Sequence, residues 1–587
     1  MKNTWIAVIF CLLSSNATQA VEFNWEVITN LNDVRQIQIV NDSLFLATTG
    51  GFVIYPLSGN DFSRFTSERG LSDHTYQCMT RSDKNISILG TLYGSITFYN
   101  HTDQTFSEDF SLDGNQIMAL DAIEDTLWIA SKNMVAVYLF DREEKIFKFR
   151  DFFTNFNQNF DSFSDIHYFS GRVWVASNNG LFNAPGNFLR NNLKAAENWE
   201  ILTDADGLPG NNILSLDSRA DTLYVGTGNG LCKYDLQTFR NYGFTPIENI
   251  RIKQNNLYMH NSKIIYSFTG SQFQEIYRTT ANTITDFDFD GSGDLWVSLS
   301  QKGLENSSSG RKIKFNSPID NTMGHMTLNS RGELWLNAGI FGDQRGIGLS
   351  VRRANGVWQN YRYFSGWQAT SNTQKAFEDT EGNMWVGTWN GGLIIVTPEN
   401  KFYHFNNYTN PGKLWICSVA QDDTIIVEPP DSVRHFLSYT VNAPDFLVVT
   451  DFMLDQSRQC LWIMTPAVTS REPLVCYQGT AFSDAAFDSS TWQKNGFPDQ
   501  LRLDGAPAAS AAMDIFNNLW IGTDRQGVIY RQENNGTLNW FRFTENDNLK
   551  NNSCFAIAGD QDGYVWIGTP SGLNAYLNGN IFDFRED

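Results

Sequence analysis

"NNLWIGTDRQGVIY" (517–530) sets a Trp between two aliphatic residues, a Gly directly after them and a second Gly a few positions on. The chain repeats this almost word for word in "GYVWIGTPSGLNAY" (563–576) and "GNMWVGTWNGGLII" (382–395). Looser copies are "LFLATTGGFVIY" (44–55), "ISILGTLYGSITFY" (86–99), "LWIASKNMVAVY" (127–138), "VWVASNNGLF" (173–182), "LYVGTGNGLCKY" (223–234), "LYMHNSKIIY" (257–266), "LWVSLSQKGL" (295–304), "LWLNAG" (334–339) and "LWIMTP" (461–466). "LWICSV" (414–419) is a doubtful further one. A stretch repeated this often makes the fold periodic.

Longer segments align too. "NWEVITNLNDVRQIQIVNDSLFLATTGGFVIY" (24–55) and "NWEILTDADGLPGNNILSLDSRADTLYVGTGNGLCKY" (198–234) both run from an aromatic strand through polar turns into the signature strand. "FTENDNLKNNSCFAIAGDQDGYVWIGTPSGLNAY" (543–576) follows the same course. Each unit is several short strands parted by Asn, Asp and Gly turns, and helical periodicity is nearly absent. A period of roughly 40–50 residues made of short strands predicts propeller blades.

The composition of the signature strand fits that architecture. A blade packs a neighbour on each face, so its strands read continuously apolar instead of alternating. Trp128, Trp174, Trp296, Trp335, Trp385, Trp462, Trp520 and Trp566 are therefore expected to be structural. Each fills a wedge between blades, worth about 1.5–3 kcal/mol on burial. The Gly after the strand leaves room for a close backbone approach.

Seven signature strands between Phe45 and Trp296 predict a seven-bladed first ring, with "FNWEVIT" (23–29) closing it as an outer strand of the last blade. From Trp335 onward there are five firm copies and the doubtful one at 414–419, which predicts a second ring of six to seven blades, with truncation of the sequence the favoured reading of the shortfall. The expected layout is an all-β tandem of propellers: signal peptide 1–20, first propeller 21–310, second propeller 311–587.

The chain has 587 residues, 41% hydrophobic, 14% aromatic and 18% charged, the composition of folded rather than disordered protein. Its net charge of −21, with no basic run, excludes nucleic acid as an expected partner. Lys2, the short apolar "WIAVIFCLL" (5–13) and the small-residue exit "SSNATQA" (14–20) read as a cleavable export signal ending at Ala20. No later segment approaches about eighteen apolar residues in a row, so no membrane span is expected in the chain as given. After cleavage six cysteines remain: Cys78, Cys232, Cys417, Cys460, Cys476 and Cys554. Their spacing has no zinc pattern; most read as small buried hydrophobes, while Cys460 and Cys476 are placed to join neighbouring strands.

The pattern D-x-x-G-x-[LV]-W-[IV]-G-T-x-x-G-L, seen in "DQDGYVWIGTPSGLNAY" (560–576) and "DTEGNMWVGTWNGGL" (379–393), resembles the two-component regulator propeller repeat. The resemblance covers most of 21–587 and implies paired sensor propellers such as those of bacterial hybrid histidine kinases. "LATTGGFVIYPLSGNDFSRFTSERGLSD" (46–73), with "RGELWLNAG", "GVWQNY" and "GTWNGGL" further on, more narrowly resembles the PorZ-type propeller proteins of the type IX secretion pathway. The chain as given is expected to depart from both families, with no bridging immunoglobulin-like domain, membrane helix, kinase or C-terminal sorting sandwich read in it.

Candidate sites are few. Asp286, Asp288, Asp290 and Asp294 in "DFDFDGSGDLW" open like a calcium loop, but the position that needs a bidentate acid is Val297, so calcium is a weak expectation. The seven histidines are scattered without paired spacing, and no Ser-His-Asp set is assignable from sequence. The expected contact residues lie in turns that depart from the repeat: Trp389 and Asn390 in "GTWNGG", Asp524, Arg525 and Gln526 in "GTDRQG", and Arg345 in "FGDQRGIG". Aromatic and Arg side chains at such loops suit a glycan, lipopolysaccharide or protein ligand. The expected function is an exported, non-enzymatic binding module without cofactor, periplasmic or on the cell surface, either a secretion accessory protein or a sensor ectodomain. The alternative is a propeller lyase or hydrolase working at a ring mouth.

Overall fold

The computed structural model describes residues 26–584 apart from 157, 244, 338–347, 362–371, 390–391, 406–415, 420–424, 429–447, 466–473, 488, 496–497, 499–500, 502–507 and 535–536. The signal segment lies outside the described residues. The fold is all-β: twelve antiparallel sheets, eleven of four strands and one of six, each built from consecutive strands. The chain divides into two compact units, Met1–Ile313 and Lys314–Asp587, holding seven and five of these sheets. They are tandem β-propeller units, with blades numbered here 1–7 and 8–12.

Every signature stretch supplies the second strand of a blade. Ser43–Thr48, Ile86–Thr91, Leu295–Leu299, Met384–Thr388 and Leu519–Thr523 are buried along almost their whole length. The core is a chain of inter-blade clusters rather than one centre. Trp128, Val137, Phe163, Val175 and Phe182 join blades 3 and 4, and Trp174, Leu181, Leu216 and Val225 join blades 4 and 5.

The Trp is held by more than packing. In blades 7, 9, 11 and 12 the indole N–H donates to the Asp six residues earlier: Trp296 to Asp290 at 3.0 Å, Trp385 to Asp379 at 2.8 Å, Trp520 to Asp514 at 3.0 Å and Trp566 to Asp560 at 2.8 Å. The other oxygen of the same carboxylate accepts a backbone N–H four residues on, as from Asn518 to Asp514 and from Tyr564 to Asp560. One Asp thus satisfies both a buried indole and a tight turn, which explains the D-x-x-G-x-[LV]-W spacing.

Neighbouring first strands are latched by carboxylates. Asp121 accepts the Tyr168 N–H, Asp165 that of Leu216 and Asp217 that of Ile252, each reaching the next blade at 2.6–2.8 Å. Gln36 does the same for Met79, and Asp451 for Ala511 in the second unit. These bonds carry the accounting that a continuous sheet would otherwise provide.

Ring closure corrects one expectation. Residues 26–29 join no sheet, and the outer strand of blade 7 is Lys312–Ile313. Blade 7 instead reaches blade 1 through its first strand: Asp286 accepts the Ile37 N–H at 2.9 Å and Asp288 that of Ile39 at 2.8 Å. Two buried carboxylates supply the acceptors, so no borrowed outer strand is needed.

Among the described residues the second unit has five sheets, against the six or seven expected. The doubtful copy at 414–419 is the reason: Ile416–Val419 and Ile425–Glu428 extend the outer edge of blade 9 instead of founding a blade. Blades 9 and 10 pack directly, with the Val449 N–H donating to the Thr388 carbonyl at 2.9 Å. The outward faces of the first and last blades stay open. Met326 and Leu328 on blade 8 are 69% and 70% exposed, and Leu573 and Phe582 on blade 12 are 40% and 47% exposed. Residues 315–319 cover the outer part of the blade 8 face, where Ile319 N–H donates to Ser350 Oγ and Asn360 Nδ2 to the Ser317 carbonyl.

Cys460 and Cys476 form a disulfide between adjacent strands of blade 10. Cys78, Cys232 and Cys554 are buried thiols, and burial pushes each up to about 12.

Candidate functional site

Among the described residues the turn after the second strand is closed the same way in half of the blades. A Thr or Ser hydroxyl at its start donates to the carbonyl of the Gly at its end: Thr48 to Gly51, Ser177 to Gly180, Thr227 to Gly230 and Thr569 to Gly572. Two turns carry one residue more. Thr388 closes on Gly392 and Thr523 on Gly527, at 2.8 and 2.7 Å. The extra residue changes the backbone path: φ of the closing Gly is 79° and 78° there, against 124–142° in the shorter turns. These are the turns that hold Trp389 and Arg525.

Arg525 takes φ 73°, a conformation uncommon for a side chain of this size. The turn is braced from outside: Arg525 N–H donates to Ser553 Oγ at 3.2 Å, and Ser553 Oγ donates to Asp524 Oδ1 at 3.0 Å. Asp524 Oδ2 lies 3.2 Å from Arg525 Nε, and the guanidinium side chain is 71% exposed. Gln526 donates its N–H to Thr523 Oγ1, and its buried Oε1 has no hydrogen-bond partner among the described residues. Trp389 is half-buried, its N–H donating to the Asn372 carbonyl at 2.8 Å. Both turns follow the second strand of their blades, 9 and 11, so they open at the same end of the strands with blade 10 between them. Asn390 and Arg345 lie outside the described residues.

Three of the four aspartates considered for calcium have their carboxylates engaged elsewhere, and Asp294 takes part through its backbone. Asp286 and Asp288 are 1% exposed and serve as the ring-closing latch. Arg251 donates to both oxygens of Asp286, at 3.0 and 2.9 Å, and Lys253 Nζ to Asp288 at 2.9 Å. Asp290 holds the turn and the Trp296 indole, and the Asp294 carbonyl accepts the Asp290 N–H. The spacing that resembles a calcium loop comes from two strand-facing latches followed by a turn cap. Among the described residues no group of three or more His, Cys, Asp or Glu side chains is arranged to hold a metal.

Three blades bring together a set that the sequence did not reveal. His167 Nε2 lies 2.8 Å from Ser218 Oγ, and His167 Nδ1 lies 3.3 Å from Asp121 Oδ2. Burial pulls the imidazole down, but Asp121, Asp217 and Asp165 outweigh it and hold its pKa above the ordinary value. Asp165 itself is pushed up to about 7 by burial, against the Leu216 and Ile166 N–H groups that favour its charge. The order of groups is that of a hydrolytic triad, yet two features oppose nucleophilic work. Ser218 sits within a regular strand, and its own N–H donates to Asp217 Oδ1 at 2.7 Å, so it is not free to hold an oxyanion.

Residues 548–571 match the family model described as two component regulator propeller, overlapping the copy at 560–576 on which that resemblance rests. Among curated proteins none matches the chain. Among solved structures the chain is similar to PorZ, described as an essential surface component of the type-IX secretion system of the human oral-microbiomic Porphyromonas gingivalis. The identity is 14% over 94% of this chain and 86% of that one, with a TM-score of 0.48. It is also similar to the extracellular domains of two hybrid two component systems of B. thetaiotaomicron. BT3049 shares 16% identity over 92% and 81% of the two chains, TM-score 0.38, and BT4673 shares 14% over 94% and 76%, TM-score 0.37. Among the described residues no helix is long and apolar enough to cross a membrane.

Proposed function

We propose that the chain is an exported, non-enzymatic recognition module, and that the second unit binds its ligand at the end carrying the turns of Trp389 and Arg525. The observation that carries this reading is the pair of lengthened turns. Each keeps the Thr–Gly clamp of the repeat in a turn one residue longer, which carries a half-buried Trp389 in one blade and an exposed Arg525 in the other. Recognition falls to such departures because the packed strands are committed to their neighbours. The ligand class is a glycan, a lipopolysaccharide or a protein, and the place of action is the periplasm or the cell surface. Within this reading the module serves a sensor or a secretion machine.

The test is binding of the purified protein to an array of bacterial surface glycans and lipopolysaccharides and to envelope extract. The double change Trp389→Ala with Arg525→Ala is expected to weaken the strongest signal about thirtyfold, the loss of one anchor of about 2 kcal/mol. Its melting temperature should stay within a degree or two of the parent, since Arg525 is 71% exposed and Trp389 half-buried. Full affinity in that variant would move the site away from these turns.

A second reading, hydrolysis, is favoured only by the Asp121–His167–Ser218 set. With the Ser218 N–H spent on Asp217, a fluorophosphonate probe is expected to leave Ser218 unlabelled when the tryptic peptides are analysed by mass spectrometry. An adduct on Ser218 that disappears in His167→Ala would establish the enzyme instead.

A further inference from the structure

The first strands of all seven blades of the first unit surround a cavity of about 310 Å3. This lies within the size range of small-molecule sites. Its wall includes Gln36, Asp165, Glu248, Asn249, His260 and Thr285, and no Lys or Arg lines it.

The wall offers acceptors in excess of donors. His260 is 2% exposed, and its Nδ1 lies 3.0 Å from the Asn261 carbonyl. A carbonyl only accepts, so Nδ1 carries the proton and Nε2 is left as an acceptor. That Nε2 is buried and has no hydrogen-bond partner among the described residues. Burial holds the ring down to about 4, so the acceptor persists at neutral pH. Several donors of the wall are already used: one Nδ2–H of Asn249 on Asp286, and the hydroxyls of Thr285 and Ser164 on the carbonyls of Val34 and Ile213. Their lone pairs, the Asn249 amide oxygen and the Glu248 carboxylate remain to receive hydrogen bonds.

An anion finds no cationic side chain in this wall and meets two carboxyl residues. A hydroxyl brings one donor and accepts as well, from wall donors that include the Gln36 and Gln77 amides and the second N–H of Asn249. An ammonium group donates three N–H bonds and accepts none. The chain's charge of −21 also draws small cations toward it. We propose that the central cavity of the first unit binds a small primary ammonium compound, with its N–H donors taken by His260 Nε2 and the acceptor wall beside Glu248. This site is separate from the turns of the second unit.

Calorimetric titration of the whole chain with putrescine, 1,4-butanediol and succinate tests the charge class at one chain length. Saturable one-site binding of putrescine alone is expected, and the imidazole Nε2 nitrogen resonance of His260 should move on saturation. Glu248→Gln, at an exposed position and keeping the side chain's size, should weaken putrescine at least tenfold without lowering the melting temperature. Failure of putrescine to saturate overturns the proposal. So does equal binding of the diol, or saturation that leaves the His260 resonance where it was.

Discussion

Trp520→Ala is expected to lower the stability of the second unit by about 3–5 kcal/mol, the range for emptying a buried aromatic site. Trp520 is fully buried, with ring centroids of Tyr530 and Tyr576 at 4.3 and 4.5 Å. Tyr576 belongs to the next blade, so the loss includes part of the seam between blades 11 and 12. The deletion also leaves Asp514 Oδ2, now its indole acceptor, without that donor. Trp566→Ala provides the comparison. Trp566 occupies the same position and keeps its own Asp560 bond, but it is only half-buried because the blade 12 face is open. Its loss should cost less than half as much in urea unfolding. Equal losses at the two positions would contradict the difference in burial between the seams.

Arg251→Met should cost about 3–5 kcal/mol, because breaking a buried pair strands the remaining charge. The carboxylate left behind is Asp286, at 1% exposure, with Asp288 beside it. Burial already pushes Asp286 up, and Arg251 is the main group opposing that shift. Asp286→Leu alone buries an Arg without its closest partner and gives up the Ile37 latch. Combined, the two changes remove both charges at once, and the double variant should be more stable than the sum of the single losses predicts, by 1 kcal/mol or more. Strict additivity would mean that the pair does not interact, and that ring closure depends on the strands alone.

Much of the fold was legible in the sequence. The signature strand marks the second strand of each blade, and seven copies between Phe45 and Trp296 correspond to seven sheets. What makes them legible is range: strand, turn and Thr–Gly clamp all fall within about a dozen residues. The Asp six residues before Trp296, Trp385, Trp520 and Trp566 was visible as the spacing D-x-x-G-x-[LV]-W, but its bond to the indole was not. The copy at 414–419 misled because an edge strand and a second strand share the same β-forming composition. The departures at Trp389 and Arg525 were visible as sequence; the lengthened clamp and the Ser553 brace were not.

The sequence by itself determined the period, the strand chemistry and the positions that pack, because these follow from each segment's own residues and its immediate turns. Only the tertiary structure decided how the first ring closes, since Ile37 and Asp286 stand 249 residues apart. It also brought Asp121, His167 and Ser218 from three blades to one place, and set His260 in the wall of a cavity shared by seven. The physical reason is that a blade's strands satisfy one another locally. Carboxylates, imidazoles and cavities on the innermost strands find their partners only on neighbouring blades, and curvature of the ring selects which side chains meet.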